Sequence, residues 1–345
     1  MGKCRIWPSF FFVLLLLLSP LSLAGAAPEE AVSGESAHPL RVVFIRYPIE
    51  PGHFASVVNR FKAGMTARGY REGYEIEYLD ILTRSSDLSA VPDVVAAVNR
   101  YLDSADLFVT CGWVSLHARE ILRDTGVPQL FVPVLHSVAL EMLPSVTAPP
   151  ETNLSGLYLM YHPEKILRLT RLLLPASRNY AYIYDSRIPA DLVYKKAYQQ
   201  ISPAEHHGLN LVYLDLAAGV EPVIAALREQ EIDAFGGIVG VFQHRLELAV
   251  SGIPVITSYT LDIDRETLGR YMAEDNIVAG LFNPFEYGGA QAAEMAADIF
   301  DGITSIGEIQ PRRSMQLAFI NLKNAERLQL AIPFAALEAV DFVLR

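Results

Sequence analysis

Short apolar runs alternate with amphipathic stretches along this chain, and no other feature restricts its fold so tightly. From Leu40 the order is RVVFIRY, HFASVVNRFKAGMTARG, YEIEYLDIL, PDVVAAVNRYLDSA, DLFVTC, VSLHAREILRDTG and PQLFVPV. Repeated strand and helix alternation predicts an α/β fold with a parallel sheet covered by helices. The first helix shows the logic. Val57, Val58, Phe61 and Met65 share one side, Arg60, Lys62 and Arg68 face water, and Gly69 stands where a C-terminal cap favours positive φ. Around TNLSGLYLMY the alternation restarts, running through PEKILRLTRLLLP, NYAYIYD, LVYKKAYQQI, LNLVYLDL, VEPVIAALREQ, IDAFGGIVG, HRLELAVSG and PVITSY. A second parallel sheet is therefore expected. The tail adds NIVAGLF, a helix through EYGGAQAAEMAADIFDG, the strand LAFINL and a short helix stopped at Pro333, elements placed to cross back between two Rossmann-like lobes.

The first residues set the compartment. Lys3 and Arg5, the apolar run FFFVLLLLL and the small residues Ala24, Gly25 and Ala26 have the layout of a secretory signal peptide, with cleavage expected after Ala26 and a periplasmic mature chain. The alternative is an uncleaved anchor. Pro20 and the shortness of the run speak against it. Of the two cysteines, Cys4 lies in the leader, which leaves Cys111 and no internal disulfide. A formal charge of -11 without basic patches speaks against nucleic acid or an anionic membrane as partner. A small-molecule solute is the expected partner.

Catalytic motifs are missing. The turn after the first strand, Arg46-Tyr47-Pro48-Ile49-Glu50, has no dinucleotide glycine fingerprint, and GGIVG at 236–240 reads as a close-packed strand end. Cys111 at a helix N-terminus is the one tempting nucleophile. His117 would face elsewhere along the helix, so a thiol mechanism would need His136, and an exported enzyme using Cys111 stays open on that ground alone. The remaining histidines lack metal-ligand spacing, and no cofactor is expected.

In parallel α/β lobes, ligands bind beyond the carboxyl ends of the strands. Those ends carry Arg46, Tyr47, Thr83, Cys111, Gly112, Trp113, His136 and Ser137 in the first lobe. The second contributes Tyr184, Asp185, Gly237, Ser258, Tyr259, Phe282 and Asn283. Aromatic rings mixed with hydroxyl, amide and charged groups suit a small-molecule pocket. Trp113 is expected to project across the cleft and stack on the ligand, with Asp185 or Asp215 meeting an ammonium group.

The stretches GMTARGYREGYEIEY (64–78) and FINLKNAERLQLAIP (319–333) resemble the ABC-transporter substrate-binding proteins related to tryptophan- and tyrosine-binding lipoproteins. Gly69, Tyr70 and Gly73 match a turn before the second strand, and Asn321, Leu322, Lys323, Ile332 and Pro333 match the ending. The segment LLLPASRNYAYIYD matches a leucine-proline linker before a second-lobe strand. At Trp113, His136-Ser137 and Asp185-Ser186 the chain departs from the family pattern.

The resemblance implies a type I periplasmic binding protein with a crossing-strand hinge near 151–156, 280–284 and 314–318. With the signal peptide at 1–26 and a flexible lead-in at 27–39 read from its polar, aperiodic sequence, this divides the chain into an N-terminal lobe of 40–150 with 283–315 and a C-terminal lobe of 151–282 with 316–345. The implied function is that of a monomeric solute-binding protein, not an enzyme, working with an ABC permease. A sensor kinase or chemoreceptor ectodomain is the alternative partner.

Overall fold

The computed structural model describes residues 38–49, 51–263 and 265–345. The expected signal peptide and its cleavage point, most of the lead-in, and the side chain of Tyr259 lie outside the described residues. No helix among those described is long and apolar enough to cross a membrane.

The first half runs β1 (Leu40–Arg46), α1 (Ala55–Ala67), β2 (Ile76–Leu82), α2 (Val91–Tyr101), β3 (Leu107–Thr110), α3 (Val114–Leu122), β4 (Gln129–Leu135) and β5 (Leu154–Leu159). The chain continues through α4 (Pro163–Leu173), β6 (Asn179–Tyr184), α5 (Pro189–Gln200), β7 (Asn210–Asp215), α6 (Val220–Glu229), β8 (Ala234–Gly236), α7 (Val239–Gln243) and α8 (Arg245–Ala249). Next come β9 (Val255–Leu261), α9 (Arg265–Tyr271), β10 (Ile277–Pro284), α10 (Phe285–Phe300) and β11 (Arg312–Arg313). The last elements are β12 (Leu317–Asn321), α11 (Leu322–Arg327), α12 (Phe334–Glu338) and β13 (Phe342–Leu344).

Two sheets result. The six-stranded one has the order β11-β5-β4-β3-β1-β2 and is parallel throughout. The seven-stranded one has the order β13-β12-β10-β9-β8-β6-β7, with only the β10 and β12 pair antiparallel.

Strand β1 shows why the runs are apolar without alternation. Val42 and Phe44 join Val57 and Phe61 of α1 and Ala293 of α10 on one face, while Val43 and Ile45 meet Val94, Val98 and Val114 on the other. Both faces are covered at Val42–Ile45, so those four positions are apolar and the arginines fall toward the strand's ends. In α1 the buried residues are Val57, Val58, Phe61 and Met65, and Gly69 follows at φ 97.

The chain passes between the sheets three times. It leaves the first after β5, returns between Pro284 and Phe285, where β10 ends and α10 packs against α1 and β4, and leaves again between β11 and β12. The first passage corrects the boundary at 150/151 and the hinge segment near 151–156. β5 pairs with β4 from Leu154 to Leu159, because its apolar residues complete the first sheet, so the crossing falls at 160–162.

The passages are tied to one another. Asn283 Nδ2 donates to Ser314 Oγ at 2.9 Å and to the Met315 carbonyl, while Arg313 Nη2 and Gln316 Nε2 both reach the Met160 carbonyl, at 2.9 and 3.1 Å.

Asn153, just before β5, anchors α3 from its C-terminal side. Its Nδ2 lies 2.7, 2.9 and 2.9 Å from the carbonyls of Leu122, Thr125 and Val127, and its Oδ1 accepts from Arg119 Nη1 at 2.5 Å. Arg119 is 7% exposed and its burial lowers its pKa, so losing this acceptor strands a buried guanidinium. Asn153→Ala should lower unfolding stability by about 2 kcal/mol in urea titration, whereas an unchanged midpoint would show that α3 is held elsewhere.

Candidate functional site

The carboxyl ends of the first sheet gather most of the residues singled out by the sequence. Arg46 ends β1 and makes a two-pronged ion pair with Asp80, Nε to Oδ1 at 2.6 Å and Nη2 to Oδ2 at 2.8 Å, and its Nη1 donates to the His53 carbonyl at 2.6 Å. The Asp80 hydrogen bond keeps the guanidinium pKa raised. Arg46 is thus held within its own lobe. Thr83 is buried, with its Oγ1 donating to the Ser85 carbonyl at 3.0 Å.

Cys111, Gly112 and Trp113 close β3 and open α3. Gly112 adopts φ 64, and a Cβ there would sit 2.7 Å from the Tyr47 ring, so this turn needs glycine on both counts. Cys111 is fully buried, and that burial pushes its thiol well above the ordinary range despite nearby Arg46. A thiolate nucleophile is disfavoured there.

The Trp113 ring packs within the first lobe, 5.6 Å from Tyr47 and 5.7 Å from His117, and its Nε1 is buried without a protein partner. The expectation that it projects across the seam is therefore not met by its ring contacts, because Gly112 turns the chain back onto Tyr47.

His136 ends β4 at φ 55, fixed by its N–H to the Leu159 carbonyl at 2.8 Å. Its ring reaches the second lobe, 5.4 Å from Tyr194 of α5, with Nδ1 buried and unpartnered. Burial, and then His162, lower its pKa, so the ring is neutral at neutral pH. Ser137 beside it is buried with a free Oγ.

In the second lobe Asp185 accepts from Arg187 N at 2.9 Å, Nε at 2.8 Å and Nη2 at 2.5 Å, which lowers its pKa. Asp215 accepts from the N–H groups of Ser186 at 3.1 Å and Ala217 at 2.9 Å. Both acids expected to meet an ammonium group already have local partners. The Tyr184 hydroxyl is 2.8 Å from Lys195 Nζ. Gly237 N donates to Thr257 Oγ1 at 2.9 Å, and Gly236 and Gly237 abut neighbouring backbone, the close-packed strand end expected of GGIVG.

With Ser258, Gly237 lines a tyrosine-walled crevice formed with Tyr161, Tyr182 and Tyr194, too tight to admit water. Phe282 is turned into the core, its ring 6.4 Å from Phe342, and does not face the seam. Asn283, on the adjoining position, holds the chain crossings and keeps a buried, unpartnered Oδ1.

Sequence reasoning missed the residue that organises the second-lobe loops. Asp191, in the first turn of α5, accepts from the N–H groups of Asp185 at 2.9 Å, Val239 at 2.9 Å and Gly240 at 3.0 Å, joining the end of β6 to the start of α7. An acid in a first helical turn looks like ordinary dipole pairing, so only its full burial reveals the role. Tyr194 and Asp262 were missed too. One sits mid-helix and the other beyond a strand end. Among the described residues no group of three or more His, Cys, Asp or Glu is placed to hold a metal ion.

Burial raises the Asp191 pKa to about 6 against the three N–H groups that lower it. A carboxyl raised in the folded state stabilises fully below its unfolded pKa of about 4, and that contribution is lost as pH rises through 6. The stability of wild type relative to Asp191→Asn should therefore fall between pH 4 and 6 in urea titrations; a flat difference would contradict the assignment.

No protein-family model matches the sequence, and no curated protein is significantly similar to it. Solved structures are similar in fold. A conserved domain protein from Vibrio cholerae aligns with TM-score 0.71 at 18% identity over 88% of this chain and 99% of that one. An ABC domain from Streptococcus pneumonia in complex with L-Trp gives 0.72 at 14%, over 89% and 100%. A ligand-free, open substrate-binding protein with adhesive properties from Clostridium difficile gives 0.67 at 18%, over 88% and 99%. The chain has the two-lobe α/β fold of type I periplasmic binding proteins, the fold of ABC-transporter solute-binding proteins.

Proposed function

We propose that this chain is an extracytoplasmic solute-binding protein of an ABC importer, taking a small solute between its lobes. The observation that carries the reading is the meeting of the two sheets' carboxyl ends. Trp113 Nε1, His136 Nδ1, Ser137 Oγ and Asn283 Oδ1, each at or just past the carboxyl end of a strand, are buried without protein partners, and the solved structures of similar fold include one in complex with L-Trp. Buried polar atoms are nearly always satisfied, and a hydrogen-bonding solute satisfies such a set. The four atoms comprise an obligate donor, an obligate acceptor and two groups able to do either. An amino acid or a comparable small planar solute suits it.

Binding acts by population shift: a solute touching both lobes stabilises the closed form by its differential affinity, and a membrane permease reads that form. The leader motif supports export to the periplasm. Cys111, shielded and held as a thiol, supports binding over turnover.

Mass spectrometry of freshly purified protein under non-denaturing conditions should show a bound solute that heat or mild denaturant releases. With that solute in hand, Trp113→Phe, which keeps a ring against Tyr47 but removes the indole N–H, should weaken binding about tenfold by calorimetry, equivalent to roughly 1.4 kcal/mol. Equal affinity in the variant would remove Trp113 from the site.

A further inference from the structure

Helix α1 starts without a cap of its own. Its N-cap position is Phe54, at φ 62 directly after His53 at φ 53, and the Phe54 side chain offers no oxygen to the first-turn N–H groups. That ring is instead a clamp: it stacks on Phe285 at 4.6 Å and 7°, and meets Tyr47 edge-on at 5.0 Å.

The missing oxygen comes from the other lobe. Asp262, the first residue beyond β9, is 7% exposed, and its carboxylate accepts from the Ser56 N–H at 3.1 Å and from the Ser56 hydroxyl. Gly52 in the loop before α1 lies against it, where a Cβ would fall 2.3 Å from Asp262 Oδ2 and 2.5 Å from its carbonyl. The carboxylate also lies within electrostatic reach of Arg46.

We propose that Asp262 is an interlobe latch, a second-lobe carboxylate that caps α1 of the first lobe when the lobes are together and frees it when they part. The N-cap residue Phe54 makes no side-chain hydrogen bond to α1 that could take its place. Parting therefore exposes first-turn donors and removes a negative charge from the positive end of the helix dipole. A cap of this kind shifts an equilibrium roughly fivefold, so the closed state is favoured by about that factor before any solute arrives. The latch does not depend on which solute binds, or on whether one does.

The experiment uses the full chain without solute. Asp262→Ala removes the carboxylate. Gly52→Ala leaves both Asp262 and α1 chemically intact but sets a methyl where the carboxylate sits, at a glycine whose φ lies outside the positive range. Small-angle scattering should give both variants a larger radius of gyration than wild type, and hydrogen exchange in the first turn of α1 should quicken roughly fivefold. Ser56→Ala, which keeps the backbone donor and loses the hydroxyl, should fall between. A folded Gly52→Ala protein with wild-type radius and exchange overturns the latch, whatever Asp262→Ala does. Should neither of those two variants fold, Ser56→Ala with wild-type exchange overturns it instead.

Discussion

Three chain crossings between two sheets have to share one hydrogen-bonded seam, and everything else in this molecule is arranged around that requirement. Each sheet is covered by helices on both faces, so each lobe is complete as a hydrophobic unit. The crossings themselves are joined by polar bonds. Asn283 ties β10 to Ser314 and Met315, and Arg313 and Gln316 tie the third crossing to Met160 of the first.

The two sides of the seam are stiffened in different ways. In the first lobe, aromatic packing does it: Tyr47 lies against Phe54 and Trp113, and Gly112 lets the chain turn tightly enough for that ring to fit. In the second, one buried carboxylate does it, with Asp191 gathering N–H groups from the end of β6 and the first turn of α7. Asp185 and Asp215, which look free in the sequence, are absorbed by Arg187 and by turn N–H groups. The polar atoms left over are mostly uncharged ones.

The alternation of strands and helices was plain in the sequence because both-sided burial enforces continuous apolar runs such as RVVFI, and helix faces such as that of Val57, Phe61 and Met65 follow from spacing alone. The end of the first sheet was not. β5 joins β4 through tertiary pairing that no local pattern announces, and the boundary at 150/151 fell short of it. At the site, spacing brought the strand-end residues into view but not their orientation. Phe282 and Asn283 adjoin on one strand, yet one serves the core and the other the crossings. Asp191 and Asp262 act through burial and through contacts at long sequence separation, neither of which composition or period encodes.

The packing of Trp113 has an optical consequence. The sequence holds two tryptophans, Trp7 and Trp113, and only Trp113 lies in the described residues. Its indole is wedged between a tyrosine and a histidine, with its N–H shielded from solvent. Emission from the described residues is thus a single-address signal, coming from the carboxyl end of the first sheet and sensitive to the polarity and quenching that any rearrangement there brings.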